Sequence, residues 1–408
     1  MFEGLSVRPA DFYLPAKKDD FLCWPVVACD QYTAQKDKWE QAERQVGAAP
    51  SALRLIIPEC YLEESDQRVP VIQRTMRDYL DTGVLAPAVK DGMVLLERTT
   101  QSGKRLGLVM TVDLEDYDFS AGSRSPIRPT EGTIVSRIPP RQKVRRGAAL
   151  ELSHVLLLCD DVHRTVIEPV YRQRHALRPL YDQELMLEGG HVRGWAVEDA
   201  GTLAQIASAI RRLKESLPPD GILFAVGDGN HSLATAKAHW QEVKQRLPEA
   251  ERADHPARYA MVELNNIYDD ALVFEPIHRV LFGVTDALNY LQDAMLTETA
   301  DAPDVTLVTK NGEKGYHIGR PLHSLPVGTV QKLLDRQEGL ALDYVHGDDA
   351  VRQIVRQDEA VGLLLPPMPK EMLFPAVAKN GPLPRKTFSM GEANEKRYYM
   401  EARLIVKE

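Results

Sequence analysis

Hydrophobic and polar positions along this chain follow two different spacings, which predict different elements. Between Ala200 and Ser216, the apolar residues Leu203, Ile206, Ile210 and Leu213 recur three or four positions apart, so they share one face of a helix. Amphipathic stretches of this kind occur elsewhere as well. We predict helices over the following segments: Ala34 to Val46, Val69 to Thr82, Ala200 to Ser216, Ser232 to Leu247, Val327 to Leu334 and Asp348 to Gln357.

Short apolar runs bounded by turn residues predict strands. The segment from Gly92 to Asp113 predicts a hairpin, because MVLLERTT and LGLVMTVDL are rich in β-forming residues and flank the glycine-containing turn QSGKR. Further strands are predicted at the following segments: Ser153 to Cys159, Ile222 to Val226, Leu342 to Val345 and Val361 to Leu365. The mixture of both kinds of element predicts an α/β (mixed α+β) fold.

The length of the chain suits more than one domain, since 408 residues exceed what one hydrophobic core usually supports. We expect an N-terminal α/β region over residues 1–150, a central region over 151–300 and a C-terminal α/β region over 301–408. Proline pairs such as Pro139-Pro140 and Pro366-Pro367 indicate loops within these regions.

Charge restricts the classes of partner. The formal net charge is −9, whereas proteins that bind the phosphate backbone of nucleic acids usually carry a basic face, so we expect no nucleic-acid partner. A local exception is the basic run from Arg137 to Arg146 (RIPPRQKVRR). That run is interpreted either as a solvated turn or as a ligand-facing patch.

The four cysteines are scattered along the sequence and show no CxxC spacing, so neither a zinc site nor a disulfide framework is expected. The N-terminal stretch MFEGLSVRPADFYLP lacks the apolar core of a signal peptide, and no segment approaches the length of a membrane span. We therefore expect a cytoplasmic protein with reduced thiols and no membrane partner.

The segment GILFAVGDGNHSLATAKAHW contains the strongest local signal for a ligand site. An apolar run enters a turn with two glycines, Gly227 and Gly229, and an alanine-rich helix follows. Glycines let backbone N–H groups approach a phosphate closely, and a helix N-terminus offers unpaired donors with a favourable dipole. We expect Asn230 or Ser232 to cap the helix, and the turn to form an anion cradle.

Asp228 is the most informative residue of this turn. An aspartate beside bound phosphate would be repelled unless it holds a metal ion or acts as a base. The turn is neither a dinucleotide fingerprint, whose third glycine is here Ser232, nor a Walker loop, which needs Gly-Lys-Ser/Thr. An ordinary strand–helix turn remains an alternative, with His231 as a hydrogen-bonding residue at the helix start.

Other polar segments offer groups that suit a phosphorylated ligand. Between Ser123 and Thr133, the sequence combines the guanidinium groups of Arg124 and Arg128 with the carboxylate of Glu131 in a turn-rich stretch. A plain surface loop is the alternative. Spacing alone does not rank three lesser candidates, which are Cys29 to Tyr32, Pro276 to Arg279 and Arg385 to Ser389.

These five segments, in this order, resemble the family known as domain of unknown function 1015 (DUF1015) over essentially the whole chain. Members show a Tyr-Asp element, a His-Glu-x-Thr element, Asp-Gly-His-His-Arg before a helix, a Pro-x-His-Arg segment and a Lys-Ser-Thr-type element. The corresponding residues here are Asp30, then Glu131 and Thr133, then Asp228 to Ser232, then Pro276, His278 and Arg279, and then Lys386 to Phe388.

The chain departs from that pattern at two places. Thr130 replaces the histidine before the glutamate, and Asn230-His231-Ser232 replaces His-His-Arg. Because the lost arginine would contact phosphate, the resemblance implies that another cation takes its role, with Arg128, Arg141 and Lys386 as candidates.

The turn is also similar to that of the ParB/sulfiredoxin-like superfamily, which implies a ParB-like nucleotide-binding core. Sulfiredoxin chemistry needs a cysteine in the turn, and partition proteins bind DNA, so a small-molecule kinase is the function that remains. The resemblance to DUF1015 implies phosphorylation of free L-serine to O-phosphoserine, with ATP or ADP as donor and Mg²⁺ as cofactor. The alternatives are a nucleotide-binding regulatory module without catalysis and a phosphotransferase for another small hydroxyl acceptor.

The resemblance also implies residue roles. Glu131, Asp228 and His231 are the expected catalytic residues, with Glu131 favoured as base, and Asp228 and Glu131 would share Mg²⁺. Asp30 and Thr387 are the expected contacts to the amino-acid substrate. The residues expected to bind the nucleotide are Gly227, Gly229, Asn230, Ser232, Arg128, Thr133, His278, Arg279 and Lys386.

Overall fold

The computed structural model describes residues 1–407 and divides them into two compact units. Unit 1 comprises residues 1–129, residues 133–272 and the segment that follows residue 391. Unit 2 comprises residues 130–132 and 273–391. The segment after residue 391 thus packs in unit 1, although residues 273–391, which precede it in sequence, belong to unit 2. The three consecutive regions expected from the sequence stay a prediction.

Within the described residues, unit 1 contains a ten-stranded mixed sheet. Its order is β5-β10-β7-β11-β4-β3-β9-β8, with β1 paired to β4 and β2 paired to β3. A separate short ladder joins β6 to Arg403–Leu404. The strands are β1 (Val7–Arg8), β2 (Ala10–Pro15), β3 (Leu85–Thr100), β4 (Gly103–Asp113), β5 (Ile127–Pro129), β6 (Leu150–Glu151), β7 (Leu156–Cys159), β8 (Arg178–Leu185), β9 (Gly190–Val197), β10 (Phe224–Asp228) and β11 (Tyr259–Asn266).

The helices of unit 1 include those expected from the apolar spacing, and the buried Leu203, Ile206 and Ile210 confirm the predicted face of α5. The α-helices are α1 (Lys36–Val46), α2 (Ser65–Asp81), α3 (Ile138–Arg145), α4 (Glu168–Arg172), α5 (Ala200–Ser216), α6 (Asn230–Arg246) and α7 (Glu249–Arg252). The 3₁₀ helices are Lys18–Leu22, Ala52–Leu55, Glu59–Glu64, Leu114–Asp116, Val135–Arg137, Arg174–Ala176, Pro256–Arg258 and Ala393–Glu395.

The basic run from Arg137 to Arg146 is mainly helical, so its interpretation as a turn was wrong. It forms α3, which packs against α6. Pro139 and Pro140 lie in the first turn of α3, where the missing N–H of proline costs no intrahelical hydrogen bond.

The large sheet separates two apolar clusters, and the strand period of two explains how. Along β3, Val94 and Leu96 belong to the cluster on one face, while Met93 and Leu95 belong to the cluster on the other. Because successive side chains of a strand point to opposite faces, a continuous apolar run such as this is covered on both sides.

Unit 2 contains, among its described residues, a seven-stranded sheet in the order β13-β15-β14-β17-β12-β16, with β18 paired to β12. Val351 and Val355, four residues apart on α9, are buried with Val280 and Val308 of the sheet. The strands are β12 (Phe274–Phe282), β13 (Leu296–Thr299), β14 (Val305–Thr309), β15 (Gly312–Ile318), β16 (Ala341–His346), β17 (Ala360–Leu364) and β18 (Phe388–Met390). The α-helices are α8 (Pro326–Leu334), α9 (Asp348–Gln357) and α10 (Leu373–Asn380), and the 3₁₀ helices are Ala287–Tyr290, Gln292–Ala294 and Lys370–Met372.

The mixed α/β fold predicted from the sequence is confirmed in both units. The hairpin expected between Gly92 and Asp113 is β3–β4, which also extends further back along the chain, to Leu85. No helix among residues 1–407 is both long and apolar enough to span a membrane.

Candidate functional site

The glycine turn of unit 1 joins β10 to α6. β10 pairs in parallel with β5 and antiparallel with β7, and its residues Phe224, Ala225 and Val226 are fully buried. This apolar anchoring fixes where the strand ends, and therefore where the polar turn and the start of α6 lie.

Gly229 is the N-cap residue of α6 and adopts a left-handed backbone conformation, with φ of 74°. A Cβ atom at this position would lie 3.0 Å from the Cα of Val155 and 3.3 Å from the His154 ring. Both the backbone angle and the close packing therefore favour glycine. The expectation that Asn230 or Ser232 caps the helix was wrong, because α6 already begins at Asn230 and its N-cap residue has no side chain.

All residues of α6 are described, and no side chain caps its N-terminus. The N–H groups of its first turn therefore have no side-chain acceptor from an N-cap residue. Gly227, Asn230 and Ser232 are only partly buried around this helix start. A helix start whose N–H groups lack a side-chain acceptor is a position at which anions commonly bind, and the anion cradle stays a prediction.

Asp228 precedes this helix start and has a positively charged neighbour. Its Oδ2 lies 3.5 Å from the Nζ of Lys396, and its Oδ1 accepts a hydrogen bond of 2.9 Å from the Gly229 N–H. The two side chains of the ion pair are 20% and 12% exposed. Sequence analysis did not identify Lys396, because 168 positions separate it from Asp228 and it belongs to none of the recognised motifs.

A second carboxylate, Asp30, lies near the same lysine. Its Oδ2 is 3.5 Å from the Nε2 of His154, and Gln31 donates a hydrogen bond to its Oδ1. Burial alone would raise the pKa of Asp30, but His154, with smaller contributions from Gln31 and Lys396, lowers the pKa well below its ordinary value. Asp30 is therefore ionised at neutral pH.

His154 connects Asp30 to Tyr399. Burial alone would lower the pKa of His154, but the adjacent Asp30 charge raises it well above the ordinary value. The imidazolium then donates from Nδ1 to the Tyr399 hydroxyl at 2.7 Å, and that hydroxyl also accepts the Cys29 N–H at 3.1 Å. The Asp30–His154 ion pair is thus held in a defined orientation by a buried tyrosine.

His231, in the first turn of α6, is a neutral imidazole. Burial, followed by the charges of Arg141 and Arg137, lowers the pKa of its ring. Its Nε2 accepts the N–H of Ile134 at 3.2 Å, so Nε2 carries no proton. Arg141 itself forms an ion pair with Glu59.

Two further residues expected in the nucleotide site belong to unit 1. The guanidinium of Arg128 is buried and donates to the carbonyl oxygens of Ser125 and Asp220, so those donors are used for local structure. The hydroxyl oxygen of Thr133 is also buried.

In unit 2, Glu131 lies beside the C-terminal motif. Its backbone forms a parallel bridge with Leu383, and its Oε1 accepts the Lys386 N–H at 3.2 Å. Lys386 has a positive φ of 57°, and its carbonyl accepts a hydrogen bond of 3.0 Å from Arg279. The hydroxyl of Thr387 donates to the Pro384 carbonyl.

His278 and Arg279 of unit 2 are buried within β12. Arg279 donates to Gln331 Oε1 and to backbone carbonyls, and burial lowers its pKa to about 10. The Nδ1 of His278 accepts the Leu365 N–H, and its Nε2 is 2.9 Å from an oxygen of Asp348. Both side chains, which were expected to contact the nucleotide, have protein partners inside unit 2.

Carboxylate oxygens are the ligands that Mg²⁺ prefers, and Asp228 and Asp30 both supply them near Lys396 in unit 1. A set of three or more histidine, cysteine, aspartate or glutamate side chains arranged around one metal position is not found within residues 1–407. Mg²⁺ commonly binds through one or two carboxylates together with substrate phosphates and water, so this donor set fits the ion only in the presence of a phosphorylated ligand.

The protein therefore has a mixed α/β fold in which α6 follows Gly229 and has no side-chain cap. Asp228, Asp30 and Lys396 supply two carboxylates and an ammonium near this helix start. The sequence matches, over residues 7–400, the family described as "Protein of unknown function (DUF1015)". The chain belongs to this family, as the resemblance predicted.

Similar proteins of known structure are distant. A free serine kinase in complex with AMP is 12% identical, with a TM-score of 0.39, and the match covers 73% of this chain and 92% of that chain. A variant of a free serine kinase in complex with ADP is 11% identical, with a TM-score of 0.40 and the same coverage. SbnI with C-terminal truncation from Staphylococcus aureus is 12% identical, with a TM-score of 0.36, covering 73% of this chain and 82% of that chain. No curated protein matches this chain.

Proposed function

We propose that this chain is a nucleotide-dependent phosphotransferase whose acceptor is free L-serine and whose product is O-phosphoserine. The observation that carries the proposal is the start of α6, where N–H donors without a side-chain cap adjoin the Asp228–Lys396 ion pair. Phosphoryl transfer needs a phosphate cradle, a cation over the phosphate charge and a carboxylate for metal or base work. The order of motifs shared with DUF1015 supports the assignment of serine as the acceptor.

The phosphate would be held by the N–H groups of Asn230, His231 and Ser232, because a helix start combines free donors with a favourable dipole. Lys396 would take the role of the missing arginine, since its ammonium lies within the reach of one side chain from the turn. A neutral His231 suits such a site as a positioning residue, because its Nε2 accepts a backbone N–H.

Mg²⁺ would be held by Asp228, with Asp30 as the second carboxylate of unit 1. The ion would screen the charge of the phosphates when a nucleotide of the ATP or ADP class is bound. Asp30 was expected to bind the substrate ammonium, but its carboxylate already has His154 and Lys396 as positive neighbours. Because these neighbours would oppose an added ammonium and an added Mg²⁺ alike, the base role suits Asp30 best, and the metal role rests mainly on Asp228.

Two carboxylates are candidates for the base that receives the serine hydroxyl proton. Glu131, in unit 2, is the one implied by the resemblance, and its carboxylate is oriented by the Lys386 N–H. Asp30, in unit 1, is the alternative, because His154 and Tyr399 hold it ionised and oriented. A carboxylate with a low pKa suffices, since positioning contributes most of the catalysis in phosphoryl transfer.

The test is direct. Purified protein is incubated with L-serine, Mg²⁺ and either ATP or ADP, and O-phosphoserine is measured by mass spectrometry. We expect product only when all three components are present. Lys396→Met should reduce the yield, whereas Lys90→Met, at an exposed lysine of β3, should not.

Two outcomes would replace the proposal. If a nucleotide raises the melting temperature but no acceptor is phosphorylated, the chain is a nucleotide-binding module without catalysis. If another small hydroxyl compound is phosphorylated and L-serine is not, the reaction class stands and the acceptor is wrong.

A further inference from the structure

Unit 1 contains a buried cavity that has no part in the proposed reaction. The cavity has room for about one water-sized species. The residues around it come from several strands and from the C-terminal segment, and the charged ones are Arg98, Arg105, Arg397, Glu263 and Glu401.

Two of these arginines face each other directly. Arg98 on β3 and Arg105 on β4 are cross-strand partners in the antiparallel ladder, and they are only 2% and 6% exposed. Like charges at directly opposed positions destabilise a sheet, and burial increases that cost. Burial, together with the charge of Arg105, lowers the pKa of Arg98 to about 9.

The carboxylates that line the cavity balance this charge only in part, and the charge of Glu395, outside the lining, also acts on Arg98. Glu263 lies 3.6 Å from Arg105 and 3.4 Å from Arg397. Glu401 is committed to Arg397 at 2.6 Å and also accepts the Tyr181 hydroxyl. Three guanidinium groups and two carboxylates therefore line the cavity, which leaves one net positive charge among these lining residues.

Each of the three arginines also has a buried nitrogen without a hydrogen-bond partner among the described residues. These atoms are Nε of Arg98, Nε of Arg105 and Nη1 of Arg397. The other hydrogen bonds of Arg98 go to neutral carbonyl oxygens, including that of Asn394 at 2.9 Å. A buried charged donor without an acceptor is costly, so the cavity combines excess positive charge with unused N–H groups.

We propose that this cavity is a binding site for one monatomic anion of the size of chloride. A single negative charge neutralises the net charge of the lining residues, and a spherical acceptor can accept N–H groups of more than one arginine without a required orientation. The limited space excludes a nucleotide or an amino acid, so the ion is separate from the ligands of the proposed function.

Bromide provides a direct test, because it replaces chloride and has a strong anomalous signal. Crystals of the unmodified protein grown with sodium bromide should show an anomalous peak in the cavity, near Arg98 and Arg397. A cavity that contains only a water molecule under these conditions would overturn the proposal.

Stability gives a second readout. In acetate buffer at constant ionic strength, replacement of acetate by chloride or bromide should raise the melting temperature by the order of a few degrees, because a ligand that binds only the native state stabilises it. Arg98→Met should abolish this dependence on halide, whereas Arg74→Met, at an exposed position of α2, should preserve it. An equal rise in both variants would contradict a specific site.

If Arg98→Met fails to fold, the halide dependence of the unmodified protein and the bromide peak still decide the question. A melting temperature that is independent of halide, together with no bromide peak, would overturn the proposal without any variant.

Discussion

Lys396 lies with its ammonium nitrogen 3.5 Å from a carboxylate oxygen of Asp228, although 168 positions separate the two residues in sequence. Lys396 also contributes to the lowered pKa of Asp30, so one cation acts on two carboxylates of unit 1. The lysine follows a short 3₁₀ helix with reciprocal capping between Glu392 and Glu395, which defines the course of the backbone at this point. Under the proposed function, this lysine would take the phosphate contact of the arginine that the turn lacks.

The first prediction concerns this lysine. Lys396→Met keeps most of the side-chain length and removes the charge, so nucleotide affinity should fall about 10–100-fold, the usual effect of losing one charge-assisted contact. Isothermal titration calorimetry with ADP and Mg²⁺ measures it. Lys90→Met is the matched control, and an unchanged affinity in Lys396→Met would remove the lysine from the phosphate site.

The second prediction separates the two candidate bases. Replacement of the base by its amide should lower turnover of L-serine about 10²–10⁴-fold while nucleotide affinity is retained. Glu131→Gln and Asp30→Asn are therefore compared by rate and by ADP affinity. A large rate loss in Glu131→Gln alone supports the role implied by the resemblance, whereas a large loss in Asp30→Asn alone assigns the base to unit 1. Full activity in both variants would contradict both assignments.

The third prediction concerns pH. The folded pKa of His154 is raised, so its contribution to stability is complete below the unfolded value of about 6.5 and is lost as pH rises through the folded pKa. The folded pKa of Asp30 is lowered, so its contribution is complete above about 3.9 and is lost as pH falls through the folded pKa. Urea denaturation should show a decline above about pH 6.5, with a slope of at most about 1.4 kcal/mol per pH unit from His154.

His154→Gln is the control for this pH dependence, because it removes the titrating group and retains a polar side chain. The variant should be less stable near neutral pH and should lose the His154 component of the decline. An identical decline in both proteins would show that His154 is not protonated in the folded state.

The fourth prediction concerns Gly229. Alanine at a left-handed position costs about 1–2 kcal/mol through the backbone, and at Gly229 the added Cβ would also press on Val155 at 3.0 Å. Gly122 is a matched control, since its φ of 77° is similar and a Cβ there would meet nothing within 4 Å. We therefore expect Gly229→Ala to lower the free energy of unfolding by about 1–3 kcal/mol more than Gly122→Ala, as measured by urea denaturation. Equal losses of unfolding free energy in the two variants would indicate that Val155 moves away from the added Cβ at no cost.

The spacing of apolar residues predicted most of the helices and strands, because the backbone geometry of each element sets which neighbouring side chains share a face. The spacing of Leu203, Ile206 and Ile210 determines one face of α5, and the apolar run before Gly227 determines a buried strand. Element ends were less accurate. The start of α6 was expected near Ser232. Gly229 has a left-handed backbone conformation that turns the chain directly after β10, so the helix already begins at Asn230.

The surroundings of the predicted site residues could not be read from sequence in the same way. The side chains of Arg128, His278 and Arg279 could bind phosphate. In the structure they form hydrogen bonds or ion pairs with other groups of the protein. Burial decides this outcome, because a buried guanidinium must satisfy its donors locally.

The sequence by itself determined the mixed α/β class, the glycine turn before α6 and, through ordered motifs, membership of DUF1015. Only the tertiary structure revealed Lys396 beside Asp228, the His154 partner of Asp30 and the opposed pair of Arg98 and Arg105. The physical reason is that strand order and register decide which distant side chains meet. The local charge balance and the pKa values depend on these tertiary contacts, not on the spacing of residues along the chain.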